Sequence, residues 1–444
     1  MRWLTKLSTS ILLRHMKNLS KKSQILNPKS QFVICFLLFG IFSVPMIASA
    51  VSPSLTFRYN HHLIFLEPYE YADWYSNREE WTFQGEHIKP LAEFRVDGDE
   101  IPPLPPRVVR HTVPGWDKDV IRGTLQEKIA SEIDREPGLV VIARTSTGVL
   151  FEGVGMLGRR VDLDTAVDLT IAALEGGVSD IILPVEEIQP AMTVDSKLKK
   201  MGIKEVVTVG ESDYSGSPLA RKHNIGVGLG RFNGHLIEQG EEFSFNEVLG
   251  PVNRETGYKQ ELVILGEKTL PDYGGGLCQV STTAYRGVWE YGFPISKRRN
   301  HSFAVRYYSP QGTDATIYPP YTDMRFVNDS PGAILIQTHQ EDDKAYYIYY
   351  GTKDDRVSEI VGPYTWDYQD PPEDKTEYTT EISPGTTRKV GGRVEGMRAV
   401  WYRIVERNAE EVIEPVFSIY EARPEYMQIG VVDEPGERPT WLPE

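Results

Sequence analysis

Gly274-Gly275-Gly276-Leu277-Cys278-Gln279-Val280-Ser281-Thr282-Thr283 places a cysteine directly after a glycine run. From Leu277 the apolar positions Leu277, Val280, Ala284 and Val288 recur at helical spacing, which predicts a helix ending near Tyr291-Gly292. The glycines allow positive φ and close backbone approach before that helix. Cys278 then falls in the first turn, where amides lack intrahelical acceptors and the helix dipole favours a thiolate or an oxyanion. The chain has two cysteines. The other, Cys35, lies in an N-terminal apolar stretch, so Cys278 has no partner for a disulfide within the mature chain. Three readings stay open: a buried small apolar side chain, an intermolecular bridge, or a nucleophile.

Working outward to the N-terminus, the first fifty residues carry Arg2, Lys6, Arg14, Lys17, Lys21, Lys22 and Lys29 and no acid. An apolar run from Phe32 to Ile47 ends in Ala48-Ser49-Ala50. This is the pattern of a secretory signal peptide, with an uncleaved membrane anchor as the alternative. Both place the rest outside the cytoplasm, in the cell wall or at the membrane. The net charge is −15, so removing seven positive charges leaves −22 and argues against nucleic acid as a partner. Hydrophobic residues at 40% and 23 tyrosines favour a globular, strand-rich chain over disorder.

The pattern divides the chain further. Residues 51–118 read as a strand-containing lead closing in the polyproline linker Ile101-Pro102-Pro103-Leu104-Pro105-Pro106. Residues 119–205 read as a small α+β module. Ile121, Leu125, Ile129 and Ile133 form one helix face, Leu139–Ala143 and Val149–Phe151 are strands, and Asp162 or Asp164 caps a helix over about 165–174. Ile181–Val185 is a third strand. Residues 220–352 form a second α+β domain with a central antiparallel sheet. Residues 370–432 alternate as a small β-rich domain, and 433–444 are a tail. The expected fold class is therefore multidomain α+β.

Two resemblances refine this. Gly158-Arg159-Arg160-Val161-Asp162, Ala172-Ala173-Leu174, Leu183-Pro184-Val185 and Pro190 resemble the peptidoglycan-binding domain that often precedes L,D-transpeptidase domains. The cysteine run, Asn224-Ile225, Phe243-Ser244-Phe245-Asn246, Leu249-Gly250-Pro251, Gly257-Tyr258, Asn300-His301-Ser302, Gly312–Thr316 and Asp323–Asn328 resemble the VanW family. Tyr318-Pro319-Pro320-Tyr321 and Lys297-Arg298-Arg299 depart from that family's pattern. The first resemblance implies peptidoglycan, or its precursors, as the partner.

The thiol needs a base. His301 opens the alternating run Ser302–Tyr308, read as a strand, and Asp314 opens Ala315–Tyr318, read as another. Cysteine on a helix, then histidine and aspartate on following strands, is the order of transglutaminase-like and NlpC-type cysteine enzymes. The imidazole would activate the thiol and the carboxylate would orient the imidazole. L,D-transpeptidases keep their His and Cys only a few residues apart, a spacing not found here. Cys278, His301 and Asp314 are thus the catalytic candidates. Gly274, Gly275, Gly276, Gln279, Ser281, Thr282, Tyr285 and Asp323 are the candidates for the substrate surround, with Trp289 on the same helix face as Tyr285. No paired-cysteine or His-x-x-x-His spacing points to a metal, His61-His62 stands isolated, and no phosphate loop or other cofactor motif is found. The sequence therefore supports a cysteine-dependent amidase, peptidase or transpeptidase, or a non-catalytic envelope protein in which the glycine run is a structural turn.

Overall fold

The computed structural model describes residues 54–88, 108–265 and 268–432. The expected signal or anchor, the polyproline linker and the tail lie outside the described residues. Every described residue belongs to one compact unit, Val51–Glu444. Strands outnumber helices, in several small sheets.

The lead is not separate from the module that follows. Leu55–Tyr59 pairs antiparallel with His62–Leu66 and parallel with Asp180–Ile182, so Phe57 sits opposite Ile181. Burial of Leu55 and Phe57 in the same core as Ile121, Ile129 and Val167 is what draws this strand in. Asp117 caps the first helix, Lys118–Leu125, by accepting from the amides of Asp119 and Val120. Ile121, Leu125, Ile129 and Ile133 are fully buried, as their spacing predicts. A strict four-residue spacing runs ahead of a 3.6-residue turn, and the π-helical turn Gln126–Ala130 takes up that drift. The Leu163–Gly176 helix is capped by Asp162 and ends on Gly177 in the left-handed region. The expected single strand Ile181–Val185 is two strands, Asp180–Ile182 and Val185–Ile188, in different sheets. Pro184 lies in the break, where its missing amide removes a ladder donor.

The central sheet is antiparallel, with Glu205–Asp213, Lys344–Gly351, Ile334–Glu341 and Leu236–Ile237 in that order. Alternation sorts its side chains. Tyr347 and Tyr349 face one core, while Tyr346, Ile348 and Tyr350 face another. On the second face lies a three-stranded sheet of Leu139–Arg144, Val149–Val154 and Ala191–Val194. On the first face lies the cysteine-bearing helix, Leu277–Tyr291. Helix and sheet touch backbone to backbone: a Cβ on Gly210 would lie 2.1 Å from the Thr283 carbonyl oxygen, and one on Gly287 would lie 2.6 Å from the Gly210 nitrogen.

The C-terminal module starts earlier than residue 370. Val357–Gln369 is one strand, paired with Gly396–Arg407, which pairs in turn with Glu410–Tyr420. Lys375–Thr379, Tyr426–Gly430 and Thr387–Gly391 form a second small sheet. Trp401 and Ile360 enter the core of the cysteine-bearing domain, so the two share one hydrophobic cluster.

Candidate active site

The Leu277–Tyr291 helix begins as its sequence predicts. Gly276, at φ 113°, is the N-cap. Asn224, wholly buried, holds the turn by donating to the Gly275 carbonyl at 3.0 Å and exchanging two hydrogen bonds with the Lys259 backbone. Cys278 is the second residue of the helix, so its amide is among those that no helical carbonyl can reach. The residue is partly exposed. Around the sulfur stand the Thr316 hydroxyl at 3.4 Å and the Ile317 carbonyl at 3.6 Å, and the His301 imidazole lies close enough to act on its charge.

His301 donates from Nδ1 to Asp314 Oδ2 at 2.6 Å and from its backbone amide to the same oxygen at 2.7 Å. That leaves Nε2 for the thiol. Tyr308 stacks on the ring with centroids 4.6 Å apart. On the other oxygen, Asp314 Oδ1 accepts from the Tyr420 hydroxyl at 2.5 Å and from Arg298 Nη2 at 3.3 Å. His301 and Asp314 are 4% and 1% exposed, so both are closed to water.

The electrostatics follow. Burial pushes the Cys278 thiol up, but the His301 imidazolium, helped by Thr316 and Ile317, outweighs it and brings the thiol down to about 7. Burial pulls His301 down, but Asp314 and the cysteine outweigh it and raise the imidazole to about 9. Burial disfavours the Asp314 carboxylate, yet His301, Arg298 and Tyr420 hold it well below the usual range. The thiol therefore loses its proton before the imidazole does, so the first ionisation of the pair gives thiolate beside imidazolium.

The structure brings Cys278, His301 and Asp314 together, but not on the expected elements. Ser302–Tyr308 and Ala315–Tyr318 are not strands; apart from the 3-10 turn Arg306–Tyr308 they are irregular. Packing makes the alternation of the first run: Phe303 lies under the Arg423 guanidinium at 4.3 Å. The expected substrate surround also needs correction. Gln279, Ser281, Thr282 and Tyr285 are at most 1% exposed. Gln279 bridges Arg221 and Ser212. Ser281 Oγ donates to the Ala315 carbonyl and Thr282 Oγ1 accepts from the Ala315 amide, so the two clamp the residue after Asp314. Tyr285 stacks on Trp289. Asp323 is 2% exposed and fixes the Phe245–Leu249 helix through Ser244 Oγ and the Asn246 amide, with Arg325 beside it. Gly274 and Gly275 are buried, and added Cβ atoms would strike Val252 at 2.5 Å and the Leu262 carbonyl at 2.8 Å. Their smallness serves packing. Gly276 is half-buried, and there a Cβ would press on Arg221 and Ile225 at 3.1 Å.

Sequence reasoning missed Arg298, Thr316 and Tyr420. It also missed a second buried cluster. His61 and His62 are not isolated: His61 hydrogen bonds Glu290 and His62 hydrogen bonds Glu211, which also holds Arg135 and Arg159 at 2.7 and 2.8 Å. A groove of about 540 Å³ between the Leu219–Phe232 helix and residues 338–340 is lined by none of the relay residues. Among the described residues no group of side chains is arranged to hold a metal ion, and no helix is long and apolar enough to cross a membrane.

The family described as VanW like protein matches residues 220–350. This stretch is a VanW-like domain. It contains Cys278, His301 and Asp314 and stops short of Tyr420. The chain is 34% identical over 161 residues to "Uncharacterized protein YoaR" of Bacillus subtilis (strain 168), across 36% of this chain and 52% of that one. It is 29% identical over 126 residues to "Vancomycin B-type resistance protein VanW" of Enterococcus faecalis (strain ATCC 700802 / V583), across 27% of this chain and 46% of that one. The chain thus spans about half the length of these curated relatives. Among solved structures it is similar to "IgA1 Protease G5 domain structure", at 23% identity and TM-score 0.11, over 18% of this chain and 98% of that one.

Proposed function

We propose that this VanW-like protein is an exported, envelope-associated cysteine enzyme that transfers or hydrolyses acyl groups at amide bonds of peptidoglycan peptides. One observation carries the reading: a partly exposed cysteine in the first turn of a helix, beside an imidazole that a buried carboxylate orients. The Cys278 thiolate attacks the amide carbonyl carbon, and the C–S bond forms. The oxyanion faces the Cys278 amide and the positive end of the helix dipole. Collapse breaks the C–N bond as the His301 imidazolium gives its proton to the leaving nitrogen, which leaves a thioester. Water or an acceptor amine then attacks the thioester, passes a proton to His301 and releases the thiolate. Asp314 holds the imidazole throughout. The substrate class is supported by the upstream likeness to a peptidoglycan-binding domain and by a relative named for vancomycin resistance. Export, with the N-terminal segment as signal or anchor, is supported by the basic flank and apolar run before residue 50.

The test is turnover of purified muropeptides by the whole chain, read by mass spectrometry, against Cys278→Ser. Loss or transfer of a peptide fragment by the wild type and its absence in the variant is expected. Equal binding of peptidoglycan by both, with no turnover by either, would replace the enzyme with a non-catalytic binder.

A further inference from the structure

We propose that Tyr420, on the C-terminal sheet and outside the VanW-like match, is a positioning residue for the Cys278–His301–Asp314 relay, so that the candidate active site is completed by the C-terminal module. This rests on the cysteine-enzyme reading above and goes beyond it by placing part of the machinery in another module.

The hydroxyl has a defined direction. Tyr420 Oη accepts from the Gly312 amide at 2.7 Å, so its proton points to Asp314 Oδ1 at 2.5 Å. Tyr420 is 2% exposed. Burial, then the Asp314 charge, push its ionisation upward, so it stays a donor across the working range. The other group on Oδ1, Arg298, is itself held by the same strand. Its guanidinium donates to Ser418 Oγ at 2.8 Å and to the Phe417 carbonyl at 3.3 Å, and reaches the Asp314 carbonyl at 2.7 Å. Both flanks of His301 are pinned there too: Asn300 Nδ2 donates to the Ile419 carbonyl at 2.7 Å, and the Glu421 amide donates to the Ser302 carbonyl at 2.7 Å. Trp401 Nε1 donates to the Gln311 carbonyl at 2.8 Å. His301 and Asp314 come from irregular loops, and loops alone do not hold a relay to the fraction of an ångström it needs. Here the strand Glu410–Tyr420 supplies that rigidity.

The experiment reads the pH dependence of Cys278 alkylation by iodoacetamide in the full chain, for wild type, Tyr420→Phe and Ser418→Ala. The groups facing the relay are Arg298, Arg286 through Thr313, Tyr308 and Tyr420. Without the hydroxyl, Asp314 loses its shortest Oδ1 partner and turns, and His301 loosens from the thiol. In Tyr420→Phe the thiol midpoint is expected to rise by roughly half a pH unit or more, slowing alkylation at pH 7 about twofold or more. Ser418→Ala is expected to shift it the same way by less, and it decides the matter if Tyr420→Phe does not fold. Profiles of folded variants that overlay the wild type would overturn the positioning role. A wild-type midpoint near that of an ordinary thiol would instead overturn the cysteine-enzyme reading itself.

Discussion

Cys278 and His301 titrate as a pair, with the thiol near 7 and the imidazole near 9. In the proposed enzyme, turnover needs the thiolate and the imidazolium together. kcat/KM against pH is therefore expected to rise through about 7, as the thiol ionises, and to fall through about 9, as His301 loses the proton it gives the leaving group. Asp314→Asn removes the charge that raises His301. The imidazolium then weakens, the thiol midpoint moves up toward its ordinary value, and turnover falls by about 10²–10⁴-fold. Alkylation and steady-state rates across pH measure both effects. At this scale the sequence was informative where chemistry and local pattern coincide. Cys278 follows a glycine run that only a turn and helix start explain, and His301 and Asp314 follow in a workable order. Tyr420 was hidden because nothing local distinguishes a strand-end tyrosine from the chain's other 22. Only the fold brings its hydroxyl to a carboxylate more than a hundred residues away.

The Leu277–Tyr291 helix shows why the substrate surround misled. Its many polar side chains suggest an open face, yet they are buried and largely paired inside: Ser212 with Thr283 at 2.6 Å, Gln279 with Ser212 at 2.8 Å, Arg286 with Thr313 at 2.9 Å. A one-dimensional pattern cannot separate a polar group paired inside from one facing water. The helix lies close because Gly210 and Gly287 have no side chains between its axis and the sheet. Gly287→Ala is expected to force the two apart and lower stability by about 1–3 kcal/mol, more if the backbone cannot shift. A lower urea midpoint with an unchanged m-value would report it. Because the shift moves the whole first turn, Cys278 alkylation is expected to slow with it.

Across the whole molecule, the Asn60-His61-His62 turn locks the first hairpin onto the central domain. Burial, with the Glu211 charge adding to it, outweighs His62 and Arg286 and raises Glu290 to about 8, which favours a protonated carboxyl donating to His61 Nδ1 at neutral pH. Burial, then Arg286, hold His61 well below its ordinary value, in keeping with a neutral acceptor. Glu290 binds its proton more tightly folded than unfolded. The stability it contributes is present in full below its ordinary value of 4.5 and is lost as pH rises toward about 8. Glu290→Gln keeps a neutral donor and removes that loss. Its Tm is expected to exceed the wild type's by about 2 °C or more at pH 8, and the gap to narrow at pH 5. Thermal melts at the two pH values check this. The sequence showed the helix faces, the antiparallel sheet and the β-rich end. It did not show that the lead would pair with Asp180–Ile182, because parallel pairing across a long separation leaves no local mark.

The hydroxyl of Tyr420 reaching Asp314 has a consequence for how such chains can diversify. A recombination event that exchanged the end of the protein just after residue 352 would carry over thiol, imidazole and carboxylate intact. It would still strip away the wall that holds Arg298, Asn300 and Asp314 in place. Inheritance of the two modules is therefore coupled through the strand that ends in Tyr420, and a viable exchange is expected to bring its own hydrogen-bonding wall to that spot.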